Sequence, residues 1–325
     1  YFRKSIPLRH PLIFYLGHTA TFFINKFILA KLLNERIDPY MESVFAVGVD
    51  EMSWDDLNDD HYDWPSVAAV VDYRAKVRAT VLELIDSLPL TLPINWESPW
   101  WPIVMGIEHE RIHLETSSVL IRQHDLARVR SQPEWAPNRK TGQAPENELV
   151  PVPAGTVRIG KPYNDAYYGW DNEYGEHEAT VEDFKASKYL VSNHEFLGFV
   201  EDDGYQQDEH WTEEGRDWRN FAGARHPTFW VWRNGWQLRL MTTEVEMPWD
   251  WPAEVNYHEA KAFCQWKRAH TGQPIRLPTE DEWYRLCHQA GIEEVGELPA
   301  NGNLHLDHGA SPCPVTHFRH GNWFD

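Results

Sequence analysis

A chain of 325 residues, 42% hydrophobic, is long enough to bury two cores. Its 50 acidic and 30 basic residues give a formal charge of −20, which repels a phosphate backbone or an anionic bilayer, and no Lys/Arg run offers a local exception. Nucleic acid and anionic membranes are therefore not expected as partners. The three cysteines, Cys264, Cys287 and Cys313, are odd in number and lack CxxC spacing. They suggest neither a disulfide framework nor a zinc knuckle, and fit a reducing cytoplasm.

The most apolar stretch, Leu12 to Leu33, carries His18, Asn25, Lys26 and Lys31 within the roughly 20 residues a membrane span needs, and so reads as a buried bundle helix. Pro11 suits the first helical position, and the helix is expected to run to about Arg36. The chain opens abruptly at Tyr1-Phe2-Arg3-Lys4, with no secretory signal and as if an N-terminal piece were absent. A second helix is expected from Pro65-Ser66 to Ser87, where Val67, Val70, Val71, Val77, Val81, Leu84, Ile85 and Leu88 recur at helical spacing. A third follows Pro102 to about Arg130. Between the first and second, Met41 to Asp63 is rich in Asp and Trp and is expected to hold one short helix, which makes a bundle of about four.

Residues 131–148 are rich in Pro, Gly and polar side chains without an apolar period, so the interdomain connection is placed there. The expected division is a helical bundle over 1–135, a linker over 136–148 and an α+β domain over 149–325. In that second domain, Tyr257 to Ala269 reads as a helix. Thr279 followed three residues on by Glu282 is a capping box that opens another. No internal repeat, GxGxxG or phosphate loop supports nucleotide chemistry.

Within the third helix, His109 and His113 are spaced i, i+4, so both lie on one face and can hold one metal ion. The spacing alone decides little, because 17 histidines in this length yield about one such pair by chance. The small residues Gly106 and Ser117 near the same face favour space for a metal. Surface or hydrogen-bonded core histidines stay open as the other reading. A two-histidine site needs a third ligand from a neighbouring helix, and His18, amid small residues in Leu16-Gly17-His18-Thr19-Ala20-Thr21, is best placed. Three histidines leave positions open for substrate and oxygen. Glu115 follows His113 by two and points off that face, so it supports the ligands from behind or packs the helix. His305, His308, His317 and His320 fall in a Gly/Pro-rich stretch with no fixed geometry and read as structural.

The strings Leu8 to Lys26 (LRHPLIFYLGHTATFFINK), Phe45 to Asn58 (FAVGVDEMSWDDLN) and Met105 to Arg122 (MGIEHERIHLETSSVLIR) closely resemble 5-histidylcysteine sulfoxide synthase, an enzyme of ovothiol biosynthesis. Leu190 to Phe199 (LVSNHEFLGF), Ala260 to Trp266 and Arg276 to Trp283 (RLPTEDEW) resemble the formylglycine-generating-enzyme fold, which is related to C-type lectins. Together the two resemblances cover essentially the whole chain. They imply an α+β protein: an N-terminal DinB-like four-helix bundle followed by a formylglycine-generating-enzyme-like domain. They imply that His18, His109 and His113 bind iron(II). They also imply that O2 is a co-substrate and that cysteine and histidine are joined through a C–S bond with oxygenation of the sulfur, both substrates being positioned at one metal.

For the cysteine amino-acid moiety, His61 and Asp63 of the acidic segment 55–63, with Arg9 as a carboxylate partner, are the expected contacts. Such proteins usually carry a C-terminal methyltransferase domain, for which this chain has neither the length nor a glycine-rich loop. Their assisting tyrosine has no assignable position here. Further residues are expected beyond Asp325, supplying that tyrosine and part of the histidine-binding wall.

Three rival readings differ in substrate or class. An ergothioneine-type synthase acts on trimethylhistidine and, in some members, γ-glutamylcysteine, whose extra carboxylate calls for arginines that segment 55–63 lacks. A true formylglycine-generating enzyme needs a reactive cysteine pair, whereas Cys264 and Cys287 fall in apolar helix patterns. A non-catalytic bundle holding Zn²⁺, fused to a lectin-like module, is the third. Oligomeric state is not legible.

Overall fold

The structure is a computed structural model that describes residues 1–46, 63–292, 302–304, 306 and 308–324. Helices and small sheets mix as an α+β fold, and the chain divides into two compact units: Tyr1–Val129 with Gly160–Glu176, and Arg130–Ile159 with His177–Asp325.

In the first unit α1 (Leu12–Leu29) packs on α3 (Val67–Ser87) and α4 (Trp101–Gln123), and also touches the short α2 (Pro39–Val44). Three partners for one helix explain its near-continuous apolarity. By length and composition it could cross a membrane, yet 61% of the window is buried inside the protein. Pro11 is the N-cap, one place outside the expected first turn. The helix also stops earlier than expected. Lys31 adopts φ 57°, and the N–H groups of Leu32 and Lys31 turn back to the carbonyls of Phe27 and Ile28, a left-handed C-terminal closure.

The turn that follows is organised by Glu42, whose buried carboxylate accepts from Arg36 (2.7 Å) and from the N–H groups of Ile37 (2.9 Å) and Asp38 (3.0 Å). Asp38 in turn caps α2 by accepting from the N–H groups of Tyr40 and Met41. Ser66 caps α3 as expected, through Ala69 N–H. α4 ends at Gln123 rather than near Arg130, because Asp125 caps a separate 3-10 turn, Leu126–Arg128.

Ile13, Ile24, Phe27, Phe45, Val70, Tyr73, Val77 and Ile103 form the bundle core, each at most 2% exposed. Burial of each large side chain contributes about 1.5–3 kcal/mol. Residues 160–176 group with this unit although the sequence-based division put them in the second domain. The Tyr168 ring lies 4.5 Å from that of Trp101, and Tyr174 lies 5.4 Å from Trp96.

The second unit is built from short antiparallel pairs and helices. β1 (Leu149–Val152) pairs with β4 (Phe184–Ser187), and β5 (Trp230–Trp232), β6 (Trp236–Arg239) and β7 (Glu244–Glu246) make a meander with Leu238 facing both Trp230 and Val245 in register. β8 (Arg319–His320) pairs with β9 (Trp323–Phe324); β2 (Gly155–Lys161) and β3 (Gly175–Val181) form a further two-stranded sheet, of which residues 160–161 and 175–176 group with the first unit. The core gathers α5 (Asn193–Glu201) and α7 (Tyr257–Thr271) around Phe196, Phe199, Tyr205, Trp211, Trp230, Trp251 and Phe263. The helix read at Tyr257 is thus present and two residues longer. α6 (Glu213–Ala222) ends on Gly223 at φ 60°. α8 (Glu280–Gln289) opens with the expected Thr279/Glu282 capping box.

Candidate metal centre

α1 and α4 bring three histidines together. Nε2 of His109 lies 3.2 Å from Nε2 of His18 and 3.1 Å from Nε2 of His113, and one ligand nitrogen from each ring falls within 4.8 Å of the others. Among the described residues this is the grouping of three or more His, Cys, Asp or Glu side chains with metal-holding geometry. Nitrogens bound to one metal at about 2.1 Å stand about 3.0 Å apart at right angles and about 3.4 Å apart in a tetrahedron. The two observed separations fall between these limits.

The tautomers suit the same role. Nδ1 of His18 lies 2.7 Å from the carbonyl oxygen of Phe45, so it carries the proton and leaves the Nε2 lone pair directed at the cluster. Burial, followed by the neighbouring imidazoles, lowers the pKa of His109 to about 3. Burial and His18 lower that of His113 to about 4, against the opposing charge of Glu110. Both rings therefore present lone pairs at neutral pH. Their Nδ1 atoms are buried with no hydrogen-bond partner among the described residues, so the Nε2 atoms that converge are the ones placed to serve as donors. The donor set fits a divalent transition metal with positions left open.

Aromatic rings wall the cluster. Phe22 stacks on His109 at 3.7 Å, Phe14 on His18 at 5.0 Å, and Tyr15 stands 5.6 Å from His113. The spacing Phe14, His18, Phe22 is i, i+4, i+8 on α1, a helical signal legible in the sequence itself. The room ascribed to small residues has a different use. A Cβ on Gly106 would come 2.1 Å from the Phe23 ring, and one on Gly17 would come 2.4 Å from the Phe45 ring, so both glycines admit core phenylalanines rather than a ligand. The Phe45 carbonyl had no sequence signal, because it reaches His18 from another helix.

The remaining expected residues are scattered. Arg9 is exposed, and its charge acts on the Tyr15 phenol, whose pKa is raised chiefly by burial. Asp63 is exposed, with its backbone carbonyl accepting from Tyr40 Oη at 3.0 Å. His61 lies outside the described residues. Glu115 is exposed, and its backbone carbonyl accepts from Ser118. His308 and His317 have ring centroids 6.5 Å apart, and His305 lies outside the described residues. Cys264, Cys287 and Cys313 form no disulfide among the described residues, and burial raises the pKa of Cys264, which leaves it a poor nucleophile.

Residues 134–305 match the sulfatase-modifying factor enzyme 1-like domain, and residues 1–117 match the DinB superfamily. Hercynine oxygenase of Mycolicibacterium smegmatis is 31% identical over 216 residues, 66% of this chain and 47% of the relative. Ergothioneine biosynthesis protein 1 of Neurospora crassa is 27% identical over 61% of this chain and 24% of its own length. The inactive C-alpha-formylglycine-generating enzyme 2 of Mus musculus is 29% identical over 45% of this chain and 49% of its own. The chain spans about half the length of the hercynine oxygenases that it matches. With more than half of its residues inside one family match and a DinB-superfamily helical domain ahead of it, the chain belongs to the sulfatase-modifying factor enzyme 1-like domain family.

Proposed function

We propose that this chain is an iron(II)- and O2-dependent sulfoxide synthase that forms a C–S bond between a cysteine-type thiol and the imidazole ring of a histidine-type substrate. The observation that carries the reading is the convergence of His18, His109 and His113 nitrogens, two of their separations being 3.1 and 3.2 Å, in a chain similar to hercynine oxygenases. The names of those relatives favour the ergothioneine-type reaction on trimethylhistidine over the ovothiol-type reaction. Histidine itself is the second reading, favoured by the strings Leu8 to Lys26, Phe45 to Asn58 and Met105 to Arg122.

His18, His109 and His113 would hold the metal, and iron(II) bound there supplies redox chemistry with O2. The protein's own residues do the rest. His18 is kept in one tautomer by the Phe45 carbonyl, and Phe14, Phe22 and Tyr15 exclude water from the ligand rings. Burial keeps the Tyr15 phenol protonated beside His113, and the nearby positive charge of Arg9 suits a substrate carboxylate. Asp63 and His61 are proposed contacts for the cysteine amino-acid moiety, and cysteines that form no disulfide among the described residues fit a reducing cytoplasm.

The test is an anaerobic mixture of the chain, Fe(II) and a thiol (cysteine or γ-glutamylcysteine) with histidine or trimethylhistidine, exposed to O2 and read by mass spectrometry. A sulfoxide with trimethylhistidine supports the first reading and one with histidine the second. No coupled product from any pair, with Fe(II) demonstrably bound, removes both.

A further inference from the structure

Arg74 of α3 reaches both metal-site helices with one guanidinium. Its Nη1 donates to the backbone carbonyl of Leu16 at 2.9 Å and to Thr19 Oγ1 at 2.5 Å, two positions of α1 that bracket His18. Its Nη2 donates to Glu110 Oε1 at 3.0 Å, the residue of α4 that follows His109. The carbonyl of Leu16 belongs to the helix ladder, so its bond to Arg74 is an additional one on a backbone atom whose position along the α1 axis is fixed. The second contact is to a side chain one residue from a candidate ligand.

We propose that Arg74 is a positioning residue that holds α1 and α4 in the axial register at which His18 meets His109 and His113, an inference that rests on the metal-centre reading. The tolerance makes the clamp consequential. A helix rises about 1.5 Å per residue, whereas metal–ligand distances are held to about 0.2 Å. A slide of even a fraction of one residue therefore carries the His18 nitrogen out of range. Hydrophobic packing of α1 is non-directional and specifies this register weakly, whereas hydrogen bonds in two directions from one planar group specify it strongly. Lysine carries the same charge but lacks the rigid fork that serves both helices at once.

The experiment compares wild type with Arg74→Lys, Arg74→Ala, Glu110→Gln, the Arg74→Ala/Glu110→Gln pair, and Val77→Ala as a core variant destabilised without touching the clamp. Each is titrated with Co(II), followed by visible absorption, and melted in parallel without metal. The expected result is a loss of Co(II) affinity of about 10- to 100-fold in both Arg74 variants, with altered absorption bands. Lysine should restore most of the melting temperature lost in alanine but not the affinity, Glu110→Gln should move the same way, and the pair should add little to Arg74→Ala. Wild-type affinity and spectrum in folded Arg74→Lys overturn the proposal. So does an affinity that merely tracks melting temperature across the set, Val77→Ala included. If Arg74→Ala does not fold, Arg74→Lys and Glu110→Gln carry the decision. Wild type that binds no Co(II) sinks the metal-centre reading and the clamp together, whereas wild type that binds beside an unaltered Arg74→Lys sinks the clamp alone.

Discussion

The carbonyl oxygen of Phe45 accepts a 2.7 Å hydrogen bond from Nδ1 of His18, and the ring of the same phenylalanine fills the space beside Gly17, the residue before that histidine. Phe45 is the C-cap of α2, so its carbonyl is one of the helix-end acceptors that need a partner outside the helix. One residue thus fixes the tautomer of a candidate ligand and the packing of the helix that carries it. Gly17→Ala places a Cβ 2.4 Å from the Phe45 ring and is expected to weaken Fe(II) binding by about 10- to 100-fold while the protein stays folded. Anaerobic equilibrium dialysis checks this, and wild-type affinity would contradict it.

Removing a candidate ligand outright is more severe. His18→Ala, His109→Ala and His113→Ala are each expected to lower iron affinity by more than about 100-fold, beyond the usual effect of losing a supporting hydrogen bond. Metal analysis after gel filtration gives the answer. Full iron occupancy in any one variant excludes that residue as a ligand.

Gly106→Ala tests packing rather than ligation. Its Cβ would meet the Phe23 ring at 2.1 Å, and overpacking of this kind costs about 1–3 kcal/mol. Urea denaturation should show a lower midpoint at an unchanged slope. An unaltered midpoint would mean that α1 and α4 separate freely at that level.

Glu42→Gln exchanges a buried carboxylate that binds one guanidinium and two backbone N–H groups. Hydrogen bonds to charged groups contribute about 1.5–3 kcal/mol, and a loss of that order is expected in thermal melts. A change below about 0.5 kcal/mol would show that the turn before α2 holds without the charge.

At α8 the Arg276 guanidinium, then the N–H and hydroxyl of Thr279, lower the Glu282 carboxyl from its ordinary value to about 2. A depressed folded-state pKa contributes stability that is fully present above the unfolded value near 4.5 and is lost as pH falls towards 2. Arg276 is exposed, so solvent screening limits the contribution to about 1 kcal/mol. Glu282→Gln should therefore destabilise the protein at pH 7 and hardly at all near pH 2. An equal difference between the two proteins at both pH values would refute the assignment.

Local sequence was enough to place α3, α7 and α8, because their signals are local: apolar recurrence over Val67–Ser87, the Ser66 cap, and the Thr279/Glu282 box, whereas α5 and α6 were not read from it. The i, i+4 pair His109 and His113 was legible for the same reason, since helix geometry alone puts both rings on one face. Their meeting with His18, 91 residues before His109, was decided by tertiary packing, as was the Phe45 carbonyl that orients it 27 residues away. Helix ends were decided there too, with the left-handed Lys31 closing α1 short of its apolar run. Periodicity specifies which face of a helix is apolar, but not how far one helix slides along another. That axial register, at which Arg74 bonds to both α1 and α4, exists only once the helices are packed.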